Sequence, residues 1–289
     1  MQRYVDLHTH STASDGTCTP AEVVRLATEA RLKAFALTDH DTTRGIKEAA
    51  AELKKLKESD KTVDTEFVPG IEISAGYKNR DIHILGLFID PENEELQATL
   101  DETVFKREER NLKMLSKFDE LGIHMTIEEL QEGNPDTVIT RAHFARVLTE
   151  KGYVKDKNEA FKRYLDRSAV CYVPRAYLTP ERTVKTILKA GGVPILAHPM
   201  LYDLSLDEIN VLLKDILVPA GLKGIEVLHS TNKEGDKDTL LGFAKIYRLA
   251  TSGGSDFHGE NKPDIKIGIG RGNLKVPESY LESVRKCIG

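Results

Sequence analysis

The chain has 289 residues, with 41 Lys plus Arg against 46 Asp plus Glu, a formal charge of −5. A hydrophobic share of 40% is enough for a sizeable core and excludes wholesale disorder. No run approaches the roughly 18 apolar residues of a membrane span, and the acidic balance excludes a globally basic nucleic-acid coat. The opening Met1-Gln2-Arg3-Tyr4-Val5-Asp6-Leu7-His8 lacks the charged-then-apolar layout of a signal peptide, so a cytoplasmic protein is expected. Cys18, Cys171 and Cys287 are odd in number and widely spaced, which argues for ordinary packing or surface residues rather than a disulfide framework or a Cys-rich zinc site.

The first 90 residues read as alternating strand and helix. Residues 4–7 are a short β-favouring run. Thr19-Pro20-Ala21-Glu22 has the form of a helix start, and Val23, Val24, Ala27, Ala30 and Leu32 follow as an apolar stripe. Residues 35–38 form a buried-strand candidate, 45–57 a charged helix, and 67–73 and 82–88 two further strands. From about 94 to 167 strand signals vanish. Lys, Arg, Glu and Leu recur at helical spacing, broken at Gly122, Gly133-Asn134-Pro135 and Gly152, as in an inserted helical lid. The alternation then returns, with helices over 181–190, 206–214 and 239–249 and strands over 193–197, 224–228 and 250–252. Repeated strand–helix units imply a parallel sheet, and seven strands suggest a barrel or near-barrel. The expected division is a barrel of residues 1–93 and 174–289 with a lid of residues 94–173.

Besides His229, six of the nine histidines fall within or just after these strands. His8 and His10 form an H-x-H pair whose rings share one face of a strand. His40, His83 and His198 belong to the second, fourth and fifth strands, and Asp256 and His258 repeat the i, i+2 spacing. Asp15 and Glu72 supply carboxylates near strand ends. The C-terminal strand ends of a parallel barrel converge on one rim. So many coincident ligand types point to a polynuclear metal site, with imidazole and carboxylate donors suited to Zn, Mn or Fe.

Val5-Asp6-Leu7-His8-Thr9-His10-Ser11-Thr12, Ser14-Asp15-Gly16, Leu37-Thr38-Asp39-His40-Asp41, Pro69-Gly70-Ile71-Glu72-Ile73, Asp81-Ile82-His83-Ile84, Ala197-His198-Pro199 and Gly254-Ser255-Asp256-Phe257-His258-Gly259 occur in that order. This series resembles the PHP (polymerase and histidinol phosphatase) family of metal-dependent phosphoesterases, over essentially the whole chain. It most resembles the stand-alone bacterial members that act on nucleoside 3′,5′-bisphosphates and on 5′ ends of short RNA. Those carry a helical insertion with a Thr-Arg-x-His motif, matched here by Thr140-Arg141-Ala142-His143. The resemblance implies an α/β fold, a distorted (βα)7 barrel with a helical lid, and three divalent metal ions (Mn, Fe or Zn). One ion would take His8, His10, Glu72 and Asp256. A second would share Glu72 and add His83 and His198, and a third would take Asp15, His40 and His258. Glu72, Asp256 and His198 are the catalytic candidates, and hydrolysis by a metal-activated hydroxide is implied.

Arg141 and His143 are the candidates for holding a second phosphate, since Thr140 has the form of an N-cap and Arg offers a bidentate clamp. His229, after the sixth strand, lies at the correct end to touch substrate, and Glu226 can orient a ligand from behind. Residues 141–167 hold eight Lys or Arg and four Asp or Glu, an excess suited to attracting a polyanion or simply to solvating helix faces. Tyr153, Tyr164, Tyr172 and Tyr177 are stacking or packing residues, His124 is solvent-side, and Gly268-Ile269-Gly270-Arg271-Gly272 is a turn. The expected partner is a nucleotide or short 5′-phosphorylated oligonucleotide, with no membrane and no obligate protein. The alternatives are a small-metabolite phosphatase such as one for histidinol phosphate, a non-catalytic metal module, or an amidohydrolase, whose bridging Lys is not identifiable.

Overall fold

The computed structural model describes residues 3–133, 135, 137–174 and 178–289. In chain order the first elements are β1 (Tyr4–Thr9), α1 (Pro20–Glu29), β2 (Ala34–Leu37), α2 (Gly45–Ser59), β3 (Glu66–Tyr77) and β4 (Arg80–Leu87). The inserted helices are α3 (Glu94–Glu120), α4 (Ile127–Gln131), α5 (Arg141–Glu150) and α6 (Lys157–Ala160), the last running into a π turn at Phe161–Leu165. The barrel resumes with α7 (Pro180–Lys189), β5 (Val193–Leu196), α8 (Leu206–Val211), α9 (Val218–Ala220), β6 (Gly224–His229), α10 (Asp236–Tyr247), β7 (Ala250–Gly254), β8 (Val276–Pro277) and α11 (Glu278–Arg285). All seven strands expected from the sequence are present, and β8 is an eighth. The strand order is β7-β6-β5-β4-β3-β2-β1-β8. No helix among the described residues is long and apolar enough to cross a membrane.

Local chemistry explains the helix starts. Thr19 accepts from the Glu22 N–H, and the Glu22 carboxylate accepts from the Thr19 N–H at 2.7 Å, with Pro20 at the first helical position. Val23, Val24 and Ala27 turn inward against Phe35 and Leu37, but Ala30, expected in that stripe, is the exposed C-cap. The same capping box opens α4 at Thr126 and α8 at Ser205.

The sheet is not all parallel. β4 runs antiparallel to both β3 and β5. Only Lys78 and Asn79 separate β3 from β4, both with positive φ (46° and 59°), a two-residue hairpin turn. A parallel crossover needs a dozen or more residues, so the hairpin is forced. The reversal pairs Ser74 with His83 and Glu72 with Leu85. His83, early in its strand, therefore reaches the same rim as Glu72, late in its own.

Val5, Leu7, Ala34, Ala36, Val68, Leu85, Leu87, Val193, Ile195 and Ala197 meet in one buried cluster inside the barrel, closed from below by Leu281 and Val284 of α11. A second cluster, including Ile71, Ile73, Ile84, Leu196 and Ile225, packs the outside of the sheet against α7 and the π-helical stretch Leu212–Leu217. A third lies wholly among the inserted helices, where Met114, Phe118, Phe144, Leu148 and Tyr164 pack with Cys171. All three cysteines are free.

Two β-bulges re-aim side chains at the rim. Against β2, the pairing steps from Asp6–Phe35 to Thr9–Leu37, so three residues of β1 span two of β2. Val5 and Leu7 face the barrel interior below this slip, and His8 and His10 face it above. Against β7, β6 slips between Glu226 and Leu228, which turns His229 inward as well as Glu226. β7 closes on β1 through backbone bonds at the same level: the Asp256 N–H donates to His8 O and the His10 N–H to Phe257 O, both at 2.9 Å. Gly254 permits this approach, because a Cβ there would lie 2.5 Å from the His8 nitrogen and nearer still to the His8 Cβ. Gly254→Ala should force β1 and β7 apart and lower unfolding free energy by about 1–3 kcal/mol. Urea denaturation would measure this, and an unchanged midpoint would contradict the closure described.

Candidate metal centre

Glu72 lies at the centre of the rim, fully buried. Its Oε1 meets His83 Nδ1 and His198 Nε2, each at 2.9 Å. Its Oε2 is 3.1 Å from His40 Nδ1, 3.2 Å from His10 Nε2 and 3.3 Å from His8 Nε2. Yet Oε2 makes no aligned hydrogen bond, and neither does His40 Nδ1. A buried carboxylate oxygen approached by three ring nitrogens without an aligned hydrogen bond is arranged like a ligand atom beside a cation.

The separations fit. Two ligands about 2.1 Å from one tetrahedral ion lie about 3.4 Å apart. His8 Nε2 is 3.1 Å from His10 Nε2, and Asp256 Oδ1 lies 3.7 Å and 3.4 Å from the two. With Glu72 Oε2 these make a four-atom group. His83 and His198 meet on the other Glu72 oxygen. Asp15 gathers a third group, with His258 Nε2 at 3.2 Å and His40 Nε2 at 3.8 Å, and His10 Nδ1 at 3.8 Å. All nine expected ligands are thus brought to one end of the barrel. His10 and His40 stand between groups, each with one nitrogen toward Asp15 and the other toward Glu72.

Charge follows from this crowding. Burial alone would raise the Glu72 carboxyl, but His40, His83 and His8 hold it well below the usual carboxylate range. Burial is likewise outweighed at Asp15 by His40 and His258, and at Asp256 by Lys262 and His258, so both are held well below the ordinary range. Burial opposes charging of His10, but the Asp256 and Glu72 carboxylates raise it to about 9. For His40 burial wins and lowers it to about 3.

A shell of neighbours fixes the ligands. Glu226 Oε1 is 3.1 Å from His8 Nδ1, while Oε2 accepts from the His198 N–H at 2.7 Å. Asp39 accepts from the Ser11 N–H and from both the Ser11 and Ser14 hydroxyls, which pins the loop carrying Asp15. The Tyr202 hydroxyl lies 3.0 Å from the His83 carbonyl and also meets that of Ala197, sharing its one proton between them. Asp41, His198 and Asp256 all have positive φ (54°, 22° and 57°), strain that the surrounding hydrogen bonds sustain.

Beside the ligands lies a cavity of about 170 Å³, lined by His40 and His83 on the barrel side and by Arg107, Arg110, Thr140 and Arg141 on the helical side. Arg141 donates to Asp81 at 3.0 Å and stands 5.9 Å from the Tyr172 ring. Two of the residues expected to bind substrate lie away from this cavity. His143 does not line the cavity: it is buried, burial lowers its pKa to about 4, and its Nδ1 accepts from the Thr140 N–H at 2.9 Å as part of the α5 capping box. His229 is also buried, with Nε2 3.3 Å from Asp256 Oδ2. The basic excess of residues 141–167 is largely spent in local pairs, among them Arg146–Glu150, Lys151–Glu129, Arg163–Glu159 and Arg167–Asp81. Tyr164 is packed against Phe118, Tyr153 is partly exposed, His124 is exposed beside Asp119, and Tyr177 lies outside the described residues.

Arg107, Arg110 and Lys262 were not singled out by the sequence. A signal for the arginines existed: they fall on the buried stripe of α3 with Leu96, Leu100, Met114 and Phe118, where apolar residues belong. Lys262, which holds Asp256 Oδ2 at 2.5 Å, sits in an irregular segment with no comparable cue.

The family model of the PHP domain matches residues 6–174. A 5′-3′ exoribonuclease of Haemophilus influenzae is 34% identical over 97% of this chain and 98% of its own. A 3′,5′-nucleoside bisphosphate phosphatase of Chromobacterium violaceum is 36% identical over 90% of each. A crystal structure described as a putative metal-dependent phosphoesterase from Bifidobacterium adolescentis superposes with a TM-score of 0.85 at 26% identity, covering 99% of this chain and 96% of that one.

Protons and cations compete for the same ring nitrogens. With its pKa raised from 6.5 to about 9, His10 stabilises the metal-free fold fully below about 6.5, and that contribution is lost as pH rises through about 9. Affinity for Mn²⁺ should therefore tighten across the same window with proton release, as calorimetry in buffers of different ionisation enthalpy would read. By elemental analysis, Glu72→Gln should lose more bound metal than Asp15→Asn, because Glu72 touches two of the three ligand groups directly. Equal losses would contradict its central position.

Proposed function

Since the chain belongs to the PHP-domain family and is a metal-dependent phosphoesterase, we propose that it hydrolyses the 3′-side phosphoester of a 5′-phosphorylated nucleoside. Nucleoside 3′,5′-bisphosphates and the 5′ ends of short RNA share that chemistry. The observation that carries the reading is the cavity in which Arg107, Arg110 and Arg141 face His40 and His83. A guanidinium cluster beside the candidate metal centre suits a substrate with a second, non-reacting phosphate.

In this reading His8, His10, Glu72 and Asp256 hold one divalent ion, Glu72, His83 and His198 a second, and Asp15, His40 and His258 a third. When bound, ions of this kind make hydroxide available at neutral pH and offset charge on the phosphoryl oxygens. Among these ligands, Glu72, Asp256 and His198 take the catalytic part in this reading. Glu226 keeps the His8 ring oriented through Nδ1, leaving Nε2 for its task. Lys262 and His229 hold Asp256 Oδ2 and so keep Oδ1 turned toward His8 and His10. Arg141 exchanges its Asp81 partner for the 5′-phosphate. Residues 94–173 act as a lid that carries this recognition over the barrel of residues 1–93 and 174–289.

Phosphate release from adenosine 3′,5′-bisphosphate with added Mn²⁺ tests the reading. Asp256→Asn should abolish turnover. Arg141→Ala should raise KM by about 10- to 100-fold, the loss of one charge-assisted phosphate contact, with metal content retained. An unchanged KM would overturn the assignment and favour a small monophosphorylated substrate.

A further inference from the structure

The phosphate cavity does not end at its guanidiniums. Arg141 and Asp81 line it, and the Asp81 carboxylate is held twice: Arg141 Nη2 donates to Oδ2 at 3.0 Å and Arg167 Nη2 to Oδ1 at 3.1 Å. Arg167 lines a different and larger cavity, of about 790 Å³, a groove between the β3–β4 hairpin and the segment that follows the inserted helices. Tyr172, whose ring centre lies 5.9 Å from the Arg141 guanidinium, lines the same groove. The two cavities therefore meet at one carboxylate, with a guanidinium from each.

Position and charge limit what the groove can take. None of the candidate metal ligands lines it, so it adjoins the phosphate clamp and not the reacting bond. A group held there is attached to the 5′-phosphate rather than to the 3′ side of the nucleoside. The lining carries Lys78, Arg80 and Arg167 and, among the described residues, no carboxylate. Lys78 pairs with Glu208 at 3.3 Å and Arg80 with Asp203 at 2.7 Å, but both pairs are open to solvent, so exchanging either partner for another anion costs little. Arg141 and Arg167 share one carboxylate, which sets their donors close enough for adjacent phosphoryl groups of a single chain.

We propose that this groove is a subsite for a 5′-polyphosphate, so that the substrates include RNA ending in a 5′-triphosphate. The α-phosphoryl group lies at Arg141, and the β- and γ-groups extend past Asp81 to Arg167 and Arg80. Hydrolysis still takes place at the 3′-side ester. Water adds its oxygen to that phosphorus, the bond to the 3′ oxygen breaks, and the 3′ oxygen takes up a proton. The first product is a nucleoside 5′-triphosphate, and the shortened RNA keeps a 5′-monophosphate. The proposal rests on the nucleotidic reading above, and it makes Asp81 the junction between the two subsites.

The test is a pair of short RNAs of one sequence, ending in a 5′-triphosphate or a 5′-monophosphate, on the Mn²⁺-loaded enzyme, with adenosine 3′,5′-bisphosphate as control. The triphosphorylated RNA should release its first residue as a nucleoside 5′-triphosphate, with a KM about tenfold below that of the monophosphorylated RNA, the scale of one charge-assisted hydrogen bond. Arg167→Gln should bring the KM ratio close to one and Arg80→Gln, at the hairpin, should reduce it, whereas a merely structural role would change both KM values in proportion. Equal KM values, release of pyrophosphate from the triphosphorylated end, or trimming of the monophosphorylated RNA alone overturns the subsite and leaves the reaction assigned above in place. Turnover of neither RNA nor the bisphosphate overturns that reaction, and calorimetry then decides the subsite. Adenosine 5′-diphosphate binding about tenfold tighter than adenosine 5′-monophosphate, with the preference lost in Arg167→Gln, retains it, and equal affinities overturn it.

Discussion

One buried carboxylate governs this site. Glu72 has no solvent exposure, yet five imidazoles approach it, and ordinary hydrogen bonding accounts only for the two on Oε1. An isolated carboxylate in such a place is strongly disfavoured. Positive charge is supplied by His8 and His10, whose pKa values the neighbouring carboxylates raise, or by bound ions. Both states draw on the same atoms.

The scaffold reaches this arrangement through irregularities more than through regular barrel geometry. Straight parallel strands would place His8 on the same side as Asp6, whose carboxylate instead accepts from the Ser255 and Gly268 N–H groups. The bulge in β1 moves the two histidines across. The bulge in β6 does the same for His229, so that Glu226 and His229 brace the centre from one strand. The β3–β4 hairpin supplies Glu72 and His83 from opposite directions. Each departure disturbs a ladder that a plain sheet would keep, and each occurs where a side chain must point at the centre.

These irregularities mark where the sequence stops being readable. The strands are legible because short β-branched and apolar runs recur between helices with clear N-caps. The ligand positions are legible because nine His, Asp and Glu residues fall at strand ends in a family-like order. The antiparallel course of β4 was also available: eight residues between the two strand candidates cannot hold a crossover helix. Bulges leave no such trace, since the residue types of β1 fit either register. The surroundings of His143 and His229 were hidden for a related reason. Sequence position puts them near the site, but only the backbone course shows that His143 caps its own helix and that His229 faces a carboxylate.

The inserted helices are wired into the ligand set rather than laid over it. Arg107 of α3 pairs with Asp41, which accepts from the Ser74 N–H and whose own N–H donates to the Glu72 carbonyl. Thr140, at the start of α5, donates to Asp15 at 3.3 Å. Lys157 of α6 reaches Asn261, which in turn donates to the Asp15 carbonyl at 2.7 Å. Asp81, two residues before His83, receives both Arg141 and Arg167. Every one of these links ends on a ligand or within two residues of one. A phosphate drawing Arg141 off Asp81 would release one tether at the moment it supplies a new anion between the same elements. Substrate binding and the position of His83 would then be coupled through one carboxylate, Asp81, which Arg141 and Arg167 share.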